Sequence, residues 1–365
     1  MLYTNAHLVS PGFEIENGFL EVEDGLIKSL GPMSEVREGK EVDLEGNALL
    51  PGFIDLHAHG AGGADVCDAS IEALDTIAQK KILEGVTTWL PTTLTLPHQQ
   101  LVEVFEVVKE WAPSAPLSVP GIHLEGPFIN REQVGAQNPE FVRLPDIEEL
   151  KALHAIFPIS IISLAPELEG AIELIKVARK LGIVVSAAHS NASHTEISAA
   201  MSAGLTHLTH YANAMTPLHH REIGMVGAGL LEDGLKLEVI ADGIHSSDDF
   251  LRLLLKVVPL ERLMLITDSM AAAWQGDGDC KLGGLDVTIQ DGIARLQDGT
   301  LAGSTLRFMD GFLRIAELSG RALHELVAMT SFNQAKSLGL TDRGVLEVGK
   351  RADLYVIEVA TESTF

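Results

Sequence analysis

Two histidines two residues apart, in Asp55-Leu56-His57-Ala58-His59, are the first sign of chemistry in this chain. Alternate side chains of a strand point the same way, so His57 and His59 would share a face and can grip one metal ion. A lone His-x-His pair is weak evidence. Four further residues change its weight. Glu125 closes the run Val119-Pro120-Gly121-Ile122-His123-Leu124, and His189 closes Ile183-Val184-Val185-Ser186-Ala187-Ala188. His210 closes Thr206-His207-Leu208-Thr209, and Asp268 closes Leu263-Met264-Leu265-Ile266-Thr267. An ionisable group at the end of an apolar strand is costly unless it is paired, hydrogen-bonded or bound to metal. Imidazole and carboxylate donors suit Zn(II), and also Fe(II) or Mn(II); with no thiolate in the set, a structural zinc site is disfavoured. Four histidines and two carboxylates exceed the needs of one tetrahedral ion. They fit two ions bridged by Glu125, or one ion with Asp268 left free as a base. Such an ion lowers the pKa of bound water from about 15.7 to about 7.

A second cluster, Asn213-Ala214-Met215-Thr216-Pro217-Leu218-His219-His220-Arg221-Glu222, follows His210, and Asp242-Gly243-Ile244-His245 follows a later apolar run. Arg221 and His245 could bind an anionic group such as phosphate. The plainer reading of Arg221 is a surface ion pair. His207 is an odd number of positions from His210 and should face away from it; His123, two before Glu125, can point inward. Gly60-Ala61-Gly62-Gly63 does not match a dinucleotide fingerprint and reads as a permissive loop.

The elements that must position these residues alternate. Apolar runs near 48–57, 86–91, 117–125, 160–165, 183–189, 206–210, 236–241 and 263–268 read as strands. Amphipathic stretches at 70–84, 97–111, 146–156, 167–181, 195–203, 247–257 and 321–337 read as helices. Ser70 and Asp146 serve as N-caps and Gly182 and Gly204 as stops. Eight βα units predict a (β/α)8 TIM-type barrel over 48–339, an open doubly wound sheet being the alternative. In a barrel all five strand ends meet at one face, where barrel active sites lie. Residues 1–47 read as short strands with an Asp24-Gly25 hairpin turn. With the strand near 354–357 they predict a small β-sandwich domain, 1–47 plus 340–365, built from both termini.

The chain has 365 residues, a formal net charge of −25 and 46% hydrophobic residues. The composition supplies a full core, and no Lys/Arg-rich run offers a surface for nucleic acid or anionic membranes. An anionic substrate would need a local cationic pocket against the global field. Cys67 and Cys280 do not form a disulfide framework. The start lacks the basic and apolar regions of a signal peptide, and no 18-residue apolar stretch occurs. A soluble cytoplasmic protein is expected.

Taken together, Pro51-Gly52-Phe53-Ile54-Asp55-Leu56-His57-Ala58-His59-Gly60, His123-Leu124-Glu125-Gly126-Pro127-Phe128, His210-Tyr211-Ala212-Asn213-Ala214-Met215, Ala241-Asp242-Gly243-Ile244-His245, Thr267-Asp268-Ser269-Met270 and Leu301-Ala302-Gly303-Ser304 resemble, in this order, the N-acetylglucosamine-6-phosphate deacetylase family of the amidohydrolase superfamily. The resemblance implies a hydrolase that removes acetate from a phosphorylated amino sugar, in amino-sugar catabolism. It implies a main metal on Glu125, His189 and His210, and a second on His57 and His59 with Glu125 as bridge. Some family members lack this histidine pair and use one ion. Asp268 would be general base and acid. Asn213, Ala214, His245 and Leu301, Ala302 and Gly303 would line the sugar pocket, with Ala136, Gln137, Asp242, Gly243 and Ile244 beside them. Arg221, with His245, would hold the 6-phosphate; in the family that arginine can come from the neighbouring subunit, so a homodimer is implied. Two departures stand out. Gln137 occupies a position where some relatives carry a histidine that touches the substrate carbonyl. Relatives also usually add a strand with an Asn-Gly turn after the segment near 352–357, so the β module is expected to be short of one strand. Three other readings stay open: the N-acetylgalactosamine 6-phosphate epimer as substrate, another amidohydrolase acting on N-acyl amino acids or cyclic amides, and a non-catalytic barrel scaffold. Many other amidohydrolases bridge their metals with a carboxylated lysine, and no strand-end lysine occurs here.

Overall fold

The computed structural model describes residues 1–36 and 39–358; the predicted terminal segment 340–365 therefore lies partly outside the described residues. Eight parallel strands form the centre: Phe53–Ala58, Val86–Thr93, Ile122–Glu125, Ile159–Leu164, Val184–Ala187, His207–Leu208, Lys236–Ile240 and Leu263–Ile266. They are called the first to eighth barrel strands below. Ile54, Leu56, Leu90, Ile161, Val184, Ile240, Met264 and Ile266 pack together as one apolar cluster, the filled interior expected of such a barrel.

The helices follow from spacing and caps. His98–Trp111 buries Leu101, Val104, Phe105, Val108 and Trp111 along one face. The Ser70 hydroxyl accepts from the backbone N–H of Ala73, and the Asp146 carboxylate from those of Glu148 and Glu149, so both predicted N-caps hold. The helices Gly224–Leu231 and Phe308–Ser319 are additional to the expectation. The helix expected over 321–337 is broken into Leu323–Leu326, a short 3-10 turn and Phe332–Leu338.

The eighth and first strands close the barrel through side chains as well as backbone. At the mouth the Asp268 N–H donates to the His57 carbonyl and the His59 N–H to the Ser269 carbonyl, each at 2.8 Å. Lower down, where no ladder forms, Lys81 joins Asp55 on the first strand to Thr267 just past the eighth. At the base, Asn333 and Gln334 amides donate to the Leu263 and Leu265 carbonyls.

Leu2–Ser10, Phe13–Glu23, Leu26–Pro32, Glu41–Asp43, Ala48–Pro51 and Leu354–Ile357 form a separate six-stranded sheet from both ends of the chain. Asp24 and Gly25, both at positive φ, make the predicted hairpin turn. The apolar run near 48–57 is two strands. Ala48–Pro51 pairs with Leu354–Ile357, and the chain enters the barrel only at Phe53. The join is Gly52, where a β-carbon would fall 2.3 Å from the Thr87 side chain. A three-stranded meander, Gly278–Leu282, Leu285–Gln290 and Ile293–Leu296, follows the eighth barrel strand and had no counterpart in the sequence reading. Its signal was present in Gly283-Gly284 and Asp291-Gly292 flanking the alternating Val287, Thr288 and Ile289. Among the described residues no helix is long and apolar enough to cross a membrane.

Candidate active site

The five strand ends singled out in the sequence converge. His189, His210 and Asp268 each sit two residues beyond their strand and adopt left-handed backbone, with φ of 47°, 34° and 50°. Non-glycine residues rarely adopt this conformation, and where they do the surrounding structure must enforce it. Here the sharp turn accompanies side chains that gather over the barrel mouth. Glu125 ends the third strand; the following Gly126 has φ 69°, and a β-carbon there would meet the Thr95 hydroxyl at 2.3 Å.

Distances define two overlapping triads. Glu125 Oε1 lies 3.1 Å from His210 Nε2 and 3.2 Å from His189 Nε2. Glu125 Oε2 lies 3.4 Å from His59 Nε2, and His57 Nε2 is 3.1 Å from His59 Nε2. Asp268 Oδ1 stands 3.3 Å from both His57 and His59. All six residues are buried. A tetrahedral ion with bonds of roughly 2.0–2.1 Å has ligand–ligand edges of about 3.4 Å. The observed separations are close to that edge, and two imidazole nitrogens facing at 3.1–3.2 Å need a proton or a metal between them. The second ring nitrogens agree. Nδ1 of His189 faces the Gln133 carbonyl at 2.8 Å and Nδ1 of His59 the Thr92 carbonyl at 3.2 Å. Donation there keeps each Nε2 lone pair free for a metal. The residues present therefore fit one or two divalent ions.

Electrostatics point the same way. Burial alone would depress the His59 imidazole, but Asp268 and Glu125 outweigh it and raise it to about 9. Burial would raise Asp268, but His57 and His59 bring it down to about 2. Glu125 falls well below the usual carboxylate range despite its burial, through His57, His189 and His210. The cluster favours added positive charge, which a metal supplies.

A cavity of about 500 Å³ opens above the cluster, within the range of small-molecule sites. Of the residues expected around a sugar, Ala136, Gln137, Asn213, Ala214, His245, Leu301 and Gly303 line it. Asp242, Gly243, Ile244 and Ala302 are not in its wall, although Asp242 Oδ2 bonds His245 Nδ1 at 2.6 Å and so sets that ring. Arg221 is exposed on a neighbouring loop beside His220 and does not reach this cavity. Gln137 is buried with its amide engaged at both ends. It donates to Glu125 Oε2 and accepts from the Thr95 N–H at 2.6 Å. In this structure it holds the Glu125 carboxylate. His207 faces away, as expected, bonding Thr206 and Ser337. His123 points inward, with its nitrogens on the Leu56 carbonyl and the Ser163 hydroxyl. Sequence reasoning missed Leu94, Glu132, Gln133, Val134, Leu282, Asp298 and Thr300 in the wall; several belong to loops without periodicity.

A parallel barrel whose C-terminal mouth gathers imidazoles and carboxylates around a sugar-sized cavity defines a metal-assisted hydrolase. Residues 48–365 match the amidohydrolase family, and the chain belongs to it. The chain is 38% identical to N-acetylglucosamine-6-phosphate deacetylase of Bacillus subtilis (strain 168), covering 98% of this chain and 93% of that protein. It is also 38% identical to N-acetylgalactosamine-6-phosphate deacetylase of Escherichia coli O157:H7, over 93% of this chain and 90% of the relative. Among solved structures, a mutant N-acetyl-D-glucosamine-6-phosphate deacetylase from Mycobacterium smegmatis in complex with N-acetyl-D-glucosamine-6-phosphate superposes with a TM-score of 0.93 at 30% identity, covering 98% and 95% of the two chains.

Proposed function

We propose that this protein hydrolyses the acetamide of N-acetylglucosamine 6-phosphate to glucosamine 6-phosphate and acetate. The observation that carries the reading is the donor set shared by Glu125 at the foot of a sugar-sized cavity, in a chain aligned nearly end to end with deacetylases of this class. Glu125, His189 and His210 would hold one divalent ion, and His57, His59 and Glu125 a second, with zinc as the expected metal and iron or manganese as alternatives. An ion held there would lower the pKa of bound water and polarise a carbonyl oxygen. Asp268 accepts a proton from the attacking water as the carbonyl carbon gains the hydroxyl. It then delivers that proton to the amide nitrogen as the C–N bond breaks. Asn213, His245 and the 301–303 loop orient the sugar.

Among the described residues the cavity wall contains no lysine or arginine, so the phosphate end needs a positive charge beyond that of His245. Arg221 of a second copy, working with His245, supplies it in this reading, so the active form is a homodimer. The protein works in the cytoplasm, with no nucleic-acid or membrane partner. The N-acetylgalactosamine epimer is the one rival with a specific observation behind it, the equal identity to the Escherichia coli enzyme.

Acetate release tests the reaction, its substrate and its metal dependence. The purified protein is offered N-acetylglucosamine 6-phosphate, its galactosamine epimer and unphosphorylated N-acetylglucosamine, before and after chelation. Chelator-sensitive release from the first alone is the expected result. Preference for the epimer would transfer the assignment to it. No release from a metal-loaded protein would discard the sugar-phosphate reading.

A further inference from the structure

Beneath the metal cluster lies a carboxyl group for which the proposed reaction has no use. Glu238, in the seventh barrel strand, is wholly buried. Among the described residues, neither of its oxygens has a hydrogen-bond partner of normal geometry. The Thr209 hydroxyl is close enough to lower the Glu238 carboxyl, but its own hydrogen bonds run to Ser163 and Ser186. Glu238 Oε2 lies 3.8 Å from Nδ1 of His57, which is equally buried and equally without a partner. On the other side of the same ring, Nε2 faces His59 and Asp268.

The arrangement becomes clear beside the other ligands. His59 and His189 are each anchored through Nδ1 by a backbone carbonyl. His57 has no carbonyl in that role. Histidines that bind metal through one nitrogen characteristically donate the other N–H to a carboxylate or carbonyl, which fixes ring orientation and tautomer. The gap of 3.8 Å becomes an ordinary hydrogen bond if the Glu238 side chain moves by about 1 Å. His123 does not compete, because both its nitrogens are taken; its ring packs edge-on against His57 at 4.6 Å and limits the ring plane. A carboxyl group accepts this bond with or without a proton of its own, so the role does not depend on how Glu238 titrates.

We propose that Glu238 is a positioning residue. It accepts the Nδ1–H of His57, points Nε2 at the ion shared by His57, His59 and Glu125, and so governs that ion and not the one on His189 and His210. The inference rests on the two-ion reading above.

The test strips the protein with a chelator and titrates it with Co(II). Absorption reports coordination geometry, and competition with a chromophoric chelator reports the two affinities. Wild-type protein should take two ions. Glu238→Leu should weaken one site about 10- to 100-fold and leave the other unchanged. Glu238→Gln, whose carbonyl still accepts, should stay within a few-fold of wild type. In a His57→Ala background, Glu238→Leu should add nothing. Two unaltered sites in a folded Glu238→Leu variant, or an equal loss in Glu238→Gln, would overturn the assignment. If the Leu variant does not fold, metal-loaded wild-type protein still decides. It should show a slowly exchanging imidazole N–H resonance that His57→Ala removes, and lack of that resonance overturns the idea. A wild-type protein that takes one ion sinks the two-ion reading and this inference with it, whereas two ions with an indifferent Glu238 sink this inference alone.

Discussion

Two clusters of buried charge sit side by side on the first and eighth barrel strands, and they are built on opposite plans. At the seam, Lys81 Nζ lies 3.1 Å from Asp55 Oδ2, 3.1 Å from Glu84 Oε2 and 3.0 Å from the Thr267 hydroxyl. The other oxygens, Asp55 Oδ1 and Glu84 Oε1, accept from the Thr267 N–H and the Trp274 indole, and Glu84 Oε2 also accepts from the Phe308 N–H. The cation is part of the chain and every charge has a partner. At the mouth, Asp268 meets only imidazoles, Glu125 meets imidazoles and the Gln137 amide, ring nitrogens crowd one another, and among the described residues Nδ1 of His57 and His210 face no partner. A seam completed from within holds the barrel closed. A mouth that takes its cation from solution has positions at which a substrate can meet that cation.

The difference is sharpened most by Asp268→Asn. Loss of the proton-transfer group should lower kcat about 10³- to 10⁴-fold, roughly 4–5.5 kcal/mol of barrel-mouth chemistry, with metal content and melting temperature nearly unchanged. Near-normal turnover would remove Asp268 from the mechanism. Lys81→Met should do the reverse. It leaves Asp55 and Glu84 buried without their cation, which costs about 3–5 kcal/mol of stability, read from the urea midpoint. Turnover per folded, metal-loaded molecule should fall far less than in Asp268→Asn. A Lys81→Met protein as stable as wild type would break the comparison, because the seam would then not depend on its internal charge.

The two regions also differ in how plainly the sequence announces them. Each candidate ligand at the mouth lies at the end of an apolar run, and barrel geometry carries those ends to one place, so His57, His59, Glu125, His189, His210 and Asp268 stood out one by one. Lys81 lies in an amphipathic helix where a lysine ordinarily faces water, and its partner Thr267 is 186 residues away. Nothing local marks it as buried. Glu238 was hidden for a related reason. It stands inside the apolar stretch Leu237–Ile240, and only closure of the barrel shows that its side chain turns toward His57. The split of the run near 48–57 into Ala48–Pro51 and the first barrel strand escaped because both pieces are short and apolar, and periodicity needs several residues to show.

At the rim the mouth has no lysine or arginine among the described residues, and Arg221→Ala tests whether a second copy supplies one. In the dimer reading, KM for the phosphorylated sugar should rise about 10- to 100-fold, as for loss of charge-assisted hydrogen bonds, while hydrolysis of the unphosphorylated sugar barely changes. Mixing Arg221→Ala with Asp268→Asn should then restore part of the activity, because a mixed dimer contains one site with an intact Asp268 and an intact Arg221 from its neighbour. Equal damage to both sugars would remove Arg221 from phosphate recognition; no recovery on mixing would place it in its own subunit.

His245 is the exception at the rim, a positive charge that the mouth makes for itself, and it should give the smallest effect. Burial opposes its protonation, but the hydrogen bond and charge of Asp242 prevail and raise the imidazole above its ordinary 6.5. Asp242 is lowered in turn, against its own burial, by His245. The sign follows directly. A raised value keeps His245 cationic at and below pH 6.5, and its pull on phosphate disappears as pH climbs through the higher folded value. The phosphate has its own step, gaining a second negative charge near pH 6. The ratio of KM for phosphorylated to unphosphorylated sugar should therefore be lowest between those two points and rise a few-fold at higher pH. Taking the ratio cancels titration of the metal cluster, which both sugars experience alike. Asp242→Asn withdraws the supporting charge, so the rise should begin at lower pH. A ratio that ignores pH, or keeps its wild-type profile in Asp242→Asn, would mean that His245 contacts the sugar without contributing charge, and the mouth would then depend on outside cations at its rim as fully as at its floor.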